Sequence, residues 1–393
     1  MSEIKVNSIK GVSATSAAIS INNTDGTCTA NLTNRTNKNL VINGAMQVAQ
    51  RGTSTTDQGY LIDRFDTIFS GTDEPPTIAQ VDVAAGTTPY TLGFRKALKI
   101  TNGNQTSGAG AGDYMNIRTI LEAQDVVQSG WNVTSSSSNI TLSFWVKSSV
   151  AQNFYGYIRT MDGTNRTIAM ETGSLSADTW TKVTKVIQGD SNITINNDNG
   201  AGLQINFGPF WGTDRSDNSV SLTAWRNYGT GFRTKDATTT WYTTNDATFE
   251  ITGVQLEVGS VATDFEHRSF GQELALCQRY YFKRKADPDY ASGGATMFAI
   301  AYNQDQYYAN GIIDFPVSMR TEPDALEQTG TATDYRIQFL STNTVCNGVP
   351  TFGGATLDNA RVIFVVGSGL TAGQAVLLRS NSSSAYLAFS AEL

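Results

Sequence analysis

The stretch Asn139–Ser149, NITLSFWVKSS, decides the fold class. Leu142, Phe144 and Val146 alternate with Thr141, Ser143, Trp145 and Lys147, the period of two that belongs to a half-buried β-strand. Working outward, Trp180, Val183 and Ile187 in TWTKVTKVI keep a looser version of that period. Further short apolar runs follow the same habit: YLIDRFDTIF from Tyr60, RKALKI from Arg95, FYGYIRTM from Phe154, LQINFGPFW from Leu203 and FEITGVQLEV from Phe249. Between them lie Gly-, Asn- and Ser-rich loops such as GNQTSGAGAG and INNDNGAG, which punctuate strands rather than helices. About ten short strands with such loops predict a two-sheet jelly roll or β-sandwich over residues 38–268.

One segment breaks the pattern. Ser269 is a suitable helix N-cap, and Gln272 stands three residues later, as a capping box requires. Phe270, Leu274, Cys277 and Tyr281 then recur at 0, +4, +7 and +11, one helical face. Asp287-Pro288 ends the pattern. The spacing predicts a linking helix over 269–285, with Arg279, Lys283, Arg284 and Lys285 complementing its last turn. Its narrow apolar stripe is the seam expected of three copies packed around one axis. Residues 286–393 return to strands (ATMFAIAY, GIIDFPVSM, YRIQFL, ARVIFVV, AYLAFSAEL), a second and smaller β domain whose last strand should be docked. Residues 1–37 are polar, with Ile4, Val6 and Ile9 enough for one short strand, and read as an extended N-terminal segment that orders on a partner. The expected architecture is all-β: sandwich, short helix, second β domain and N-terminal extension.

Composition bears on function. The 393 residues hold one histidine and three cysteines, 16% are charged, and the net charge is −7. Proton transfer near neutral pH most often uses His, and transition metals usually need His or Cys clusters. No basic stripe is present to neutralise phosphates, so nucleic acid is not an expected partner. No run of 18 apolar residues spans a membrane, and the N-terminus lacks the apolar core of a signal peptide. Cys28, Cys277 and Cys346, widely spaced and odd in number, read as reduced thiols. No phosphate loop, dinucleotide fingerprint or zinc spacing occurs. Presentation of a surface, not a reaction, is the expectation, with no cofactor required.

Several side chains are candidate sites. Trp211, Trp225 and Trp241, with Tyr228 and Tyr242, cluster in one third of the chain. An exposed aromatic face stacks on the C–H groups of a sugar ring, which would make a glycan platform; a buried one is core. Asp214, Asp217 and Asn218, or the Asn196–Gly200 turn, could supply oxygen ligands to a structural calcium, although neither matches an EF-hand loop. His267 beside Asp264, Glu266 and Arg268 has no nucleophile assignable to it and reads as packed where the last strand meets the helix. Asp162, Glu171 and Asp178 are carboxylates that glycoside hydrolysis would need in a pair about 5–10 Å apart.

NLVINGAMQVAQRGTS with GYLIDRF resembles the opening of a domain common in tail fibres and related virion appendages of marine podovirus-type bacteriophages. The run from Ile117 to Ser149 resembles the strand-entry region of carbohydrate-binding-module-like jelly rolls in such proteins. Residues 249–283 resemble their closing strand and helix, most specifically in the spacing of GVQLEVG, FEHRS and CQRYY, and residues 313–393 resemble C-terminal fibre domains. The resemblance implies a homotrimeric virion protein, assembled in the host bacterial cytoplasm. It would be joined to the phage tail or adaptor proteins through residues 1–37 and turned toward a host surface glycan. The alternatives are a polysaccharide-degrading tail spike, against which the missing solenoid repeat counts, and a capsid-mounted appendage.

Overall fold

The computed structural model describes residues 37–287 and 296–393, together with the strand segments Ser8–Ile9, Ile19–Ile21 and Cys28–Ala30. The fold is all-β. The three N-terminal segments pair antiparallel in one small sheet. Of the residues expected to form a single strand there, Ile9 lies in the first segment, while Ile4 and Val6 fall outside the described residues.

Two antiparallel sheets build the sandwich. The six-stranded sheet runs, edge to edge, Thr181–Gln188, Asn139–Ser148, Thr248–Val258, Lys96–Thr101, Thr77–Asp82 and Ser54–Thr55. The seven-stranded sheet runs Arg226–Asn227, Arg166–Ser174, Asn153–Thr160, Ala201–Trp211, Tyr114–Glu122, Phe65–Ser70 and Gly59–Ile62. Leu142, Phe144 and Val146 enter the core between the sheets against Phe207, Ile205 and Ile158, as their alternation predicts. The expectation of a half-buried strand is corrected on its other face. Thr141 and Ser143 are also buried, and Trp145 packs on a second apolar cluster with Phe94, Trp180 and Phe265. Segments around residues 83–95 and 263–267 cover this face, which a period-two reading cannot foresee. Gly253 lies beneath that cover at φ +63°, where a Cβ would stand 2.7 Å from the Phe94 ring.

The helix spans Phe270–Gln278 and carries the predicted capping box: Ser269 Oγ accepts from Gln272 N at 3.3 Å, and Gln272 Oε1 accepts from Ser269 N at 3.0 Å. Its predicted extent to residue 285 is wrong. Tyr281–Lys285 is a strand, paired antiparallel with Tyr386–Ser390. The helical period at Tyr281 was overridden by a partner more than a hundred residues away. The trimer seam fails with it: Cys277 and Tyr281 are buried within the chain, Leu274 is half-buried, and only Phe270 is well exposed, at 56%. Arg279 caps the helix C-terminus, whereas Lys283, Arg284 and Lys285 belong to the strand.

A second core lies between the three-stranded sheet Tyr281–Lys285, Tyr386–Ser390, Glu327–Gln328 and a seven-stranded sheet that includes Met297–Asn303, Tyr308–Asp314 and Asn359–Val365. Phe282, Phe298, Phe315, Tyr335, Phe364 and Phe389 fill it. Ion pairs tie it to the sandwich. Arg64, buried and stacked 3.5 Å over the Tyr280 ring, pairs with Glu392. Arg279 grips Glu122 through Nε at 2.7 Å and Nη2 at 2.9 Å, while Tyr280 and Gln124 donate to the same carboxylate. Burial works against the Glu122 charge, but the Arg279 and Tyr280 hydrogen bonds outweigh it and hold the carboxyl below its ordinary range.

Candidate functional site on the outer face of the seven-stranded sheet

The seven-stranded sheet has an apolar inner face and a polar outer one. Strand register sets Tyr157 beside Asn206, Asn206 beside Arg118 and Arg118 beside Asp66 on the outer side. Asn116 donates to Asn206 Oδ1 at 2.8 Å, and Arg118 Nε donates to Asp66 at 2.7 Å. Polar residues persist here because, among the described residues, no second sheet packs on this side. Residues 212–238 fold over it instead, entering after a bulge between Phe207 and Phe210 that swings Trp211 opposite Tyr114.

Rings and guanidinium groups interleave along this face. Trp211 stacks on Tyr114 (6.0 Å between centroids, 9° between planes) and tilts against Tyr157 at 5.6 Å. Tyr157 lies 6.3 Å from Tyr228, and the Arg159 guanidinium sits 3.8 Å over the Tyr228 ring. Arg215 is 5.2 Å from the Tyr114 ring, and Arg233 is 5.7 Å from that of Trp211. Backbone bonds hold the loop: Arg233 N donates to Arg215 O at 3.0 Å, and Asp217 N to Thr234 O at 2.9 Å.

The five aromatic candidates separate. Trp211 is buried, its indole N–H spent on Tyr155 O at 3.0 Å, so it floors the site without offering a ring face. Trp241 and Tyr242 are fully buried core, packed on Phe154 and Phe210 respectively, and are withdrawn as glycan contacts. A tryptophan or tyrosine fills a thin sandwich core as readily as it lines a loop, and residue type does not distinguish the two. Tyr228 and Trp225 remain half-exposed, flanking the edge strand Arg226–Asn227. Trp225 donates its indole N–H to Gln188 O at 2.7 Å and lines a cavity of about 480 Å³ with Lys185, Val186, Gln188 and Asp190. Burial opposes the Asp190 charge, but Asn192 and Arg166 outweigh it and hold the carboxyl below its usual range.

The other candidates are placed as follows. Asp217 accepts from Ser219 N at 2.7 Å, and Asn218 Oδ1 from Asp236 N at 3.3 Å. Asp214 is exposed beside them. Among the described residues no three His, Cys, Asp or Glu side chains gather as a metal site. Asn196 donates twice to Asp162, and Asp198 accepts from Gly200 N, so both carboxylates serve turns. Glu171 stands opposite Tyr155, well along the strand from the turn that holds Asp162, on the order of 20 Å at about 3.3 Å per residue. Asp178 is exposed beyond the end of that strand. His267 packs between Phe94 and Phe265, its Nε2 2.8 Å from Leu92 O. It borders a cavity of about 820 Å³ at the helix, where Glu266 and Arg268 are already engaged with the Asn37–Asn39 backbone.

Sequence reasoning missed Tyr114, Tyr157, Arg159, Arg215, Arg226 and Arg233. A signal existed: Trp225-Arg226 and Phe232-Arg233 place an arginine directly after an aromatic, twice in one loop.

No family model matches this chain, and no curated protein matches it. Solved structures give distant likenesses. The enzymatically active domain of tailspike protein 4 of bacteriophage CBA120 is 14% identical over 56% of this chain, with a TM-score of 0.30. The chain spans about a fifth of that protein, 21%. The N-terminal cellulose-binding domain of Cellulomonas fimi β-1,4-glucanase C is 14% identical over 55% of this chain and 99% of its own, TM-score 0.24. The CBM22-1 xylan-binding domain from Paenibacillus barcinonensis is 11% identical over 53% and 94%, TM-score 0.25. At such scores these likenesses carry no argument, and the assignment as an all-β protein with a two-sheet sandwich rests on its strand pairing.

Proposed function

We propose that this chain is a structural and adhesive virion protein, a phage tail fibre that binds a host surface glycan without cleaving it. The observation that carries the adhesive reading is the half-exposed pair Tyr228 and Trp225 beside the outer face and the 480 Å³ cavity. Each presents an aromatic surface next to fixed hydrogen-bonding groups, the pairing that sugar recognition uses. The virion placement rests on the resemblance of residues 39–65 and 253–281 to tail-fibre segments. In this reading residues 1–37 join the tail, and removing them leaves a folded protein that no longer enters particles.

The partner of the C-terminal domain is two further copies of the chain. Its seven-stranded sheet leaves Ile300 (70% exposed), Tyr302 (54%) and Ile312 (51%) on one face. Arg361 lies opposite Ile312, and Asp314 two residues along the same strand, so the face carries both charge signs and suits copies of itself. Large exposed apolar side chains side by side on a sheet face, rimmed by charge, suit a protein–protein contact. The test of adhesion is adsorption of the purified protein to host cells. Trp225→Ala or Tyr228→Ala should each cost on the order of 1 kcal/mol per site, about fivefold, compounded by threefold avidity. Wild-type adsorption unchanged by both substitutions refutes the site.

A further inference from the structure

We propose that the glycan bound here is acidic, and that its anionic group seats on Arg215, Arg226 and Arg233. The inference rests on the adhesive reading above and names the chemical class of its ligand. The three guanidinium groups lie within residues 212–238, Arg226 in its edge strand and the other two in the loops around it, and are half-buried, yet none donates a side-chain hydrogen bond, and none has a carboxylate within 4.0 Å. The Nε atoms of all three, and Nη2 of Arg226, are shut from solvent without a partner. Thr234, fully buried between Arg233 and Lys235, also has a hydroxyl with no partner.

Several arginines elsewhere meet acids (Arg64 with Glu392, Arg118 with Asp66, Arg268 with Glu266 and Glu273, Arg279 with Glu122), and Arg284 and Arg320 meet backbone carbonyls, while Arg336 shares the lack of an acid but stands outside any such cluster. Asp214, next to Arg215, points into solvent and pairs with none of the three, and two further carboxylates of the segment are engaged elsewhere. Asp217 closes a turn on Ser219, and Asp236 accepts from Ser216 Oγ at 2.8 Å. The rings of Tyr114, Trp211 and Phe232 stabilise cations across their faces but accept no N–H in line. Burial draws the Arg226 guanidinium below its ordinary range, with Asp217 opposing only in part. Buried N–H donors left unmade are costly, and planar forks of this kind match carboxylate, sulfate or phosphate oxygens two at a time. The Arg233-to-Arg215 backbone bond holds two of them side by side before any ligand arrives.

The test uses the full chain and three immobilised polymers: polygalacturonate for a carboxylate source, dextran sulfate for a sulfate source, and unmodified dextran as the neutral control. Wild type should bind at least one charged polymer tenfold or more tightly than dextran, weakening tenfold on raising salt from 50 to 500 mM. Which charged polymer wins identifies the anion. Arg226→Met and Arg233→Met should each lose tenfold. Arg226→Lys, which keeps the charge but not the fork, should lose most of that and guards against a misfolded methionine variant. Arg95→Met, at an exposed site on the other sheet, should bind as wild type. Equal losses in Arg95→Met would mean diffuse polyanion attraction and overturn the assignment. Salt-insensitive binding to dextran that depends on Trp225 and Tyr228 would overturn the acidic ligand while leaving the glycan reading standing. Binding to none of the polymers or to host cells would sink both.

Discussion

Arg279→Met should destabilise the protein by about 3 kcal/mol, because it strands a buried charge. Glu122 ends the Tyr114–Glu122 strand and is 0% exposed. Arg279 gives it two charge-assisted hydrogen bonds, at 2.7 and 2.9 Å. After the substitution only Tyr280 and Gln124 remain as donors. Breaking a fully buried pair from one side costs roughly 3–5 kcal/mol. About a third of the Arg279 side chain is in solvent, so water can reach the vacated place and the lower end of that range applies. Calorimetric unfolding at pH 7 should show the loss, while Arg279→Met with Glu122→Gln should recover about half of it by removing the stranded charge. The bridge joins the sandwich to the helix C-cap, so melting should become less cooperative between the two β regions. A single variant within 0.5 kcal/mol of wild type, or a double variant worse than the single, would refute the reasoning.

Two further outcomes follow from the same packing. Burial pushes the Asp63 carboxyl from 3.8 up to about 6, against the Gln50 hydrogen bonds and Arg51. Between about pH 4 and 6 the folded protein therefore keeps a proton that the unfolded chain has released. The contribution of this group is fully present below pH 4 and is lost as pH rises through 6, about 3 kcal/mol in all. The difference between wild-type and Asp63→Asn stability profiles should show that slope, and parallel profiles would contradict it. Light scattering at micromolar concentration should give three times the chain mass, and Ile300→Lys with Ile312→Lys should give a folded monomer; a monomeric wild type would remove the C-terminal face as an interface.

What the sequence disclosed was local. Leu142, Phe144 and Val146 declared their strand because alternation and burial coincide on one face. Ser269 and Gln272 declared the helix start because a capping box lies within four residues. Tyr281 to Lys285 misled because their pairing partner, Tyr386–Ser390, is remote in sequence. The aromatic cluster was half legible. Tyr228 and Trp225 keep exposed surface, whereas Trp241 and Tyr242 fill the core, a distinction set by how deeply the segments that carry them pack. The arginines went unread because their significance lies in pairing with no acid within 4.0 Å, a property of three dimensions alone.

The most direct test of adhesion is a calorimetric titration of the purified host surface polysaccharide, cut to short oligosaccharides, into the full chain, with reducing ends counted in the same cell. Adhesion without cleavage predicts saturable binding, at least fivefold weaker in Tyr228→Ala, and a constant number of reducing ends. No heat of binding, or reducing ends that climb with time, would contradict it.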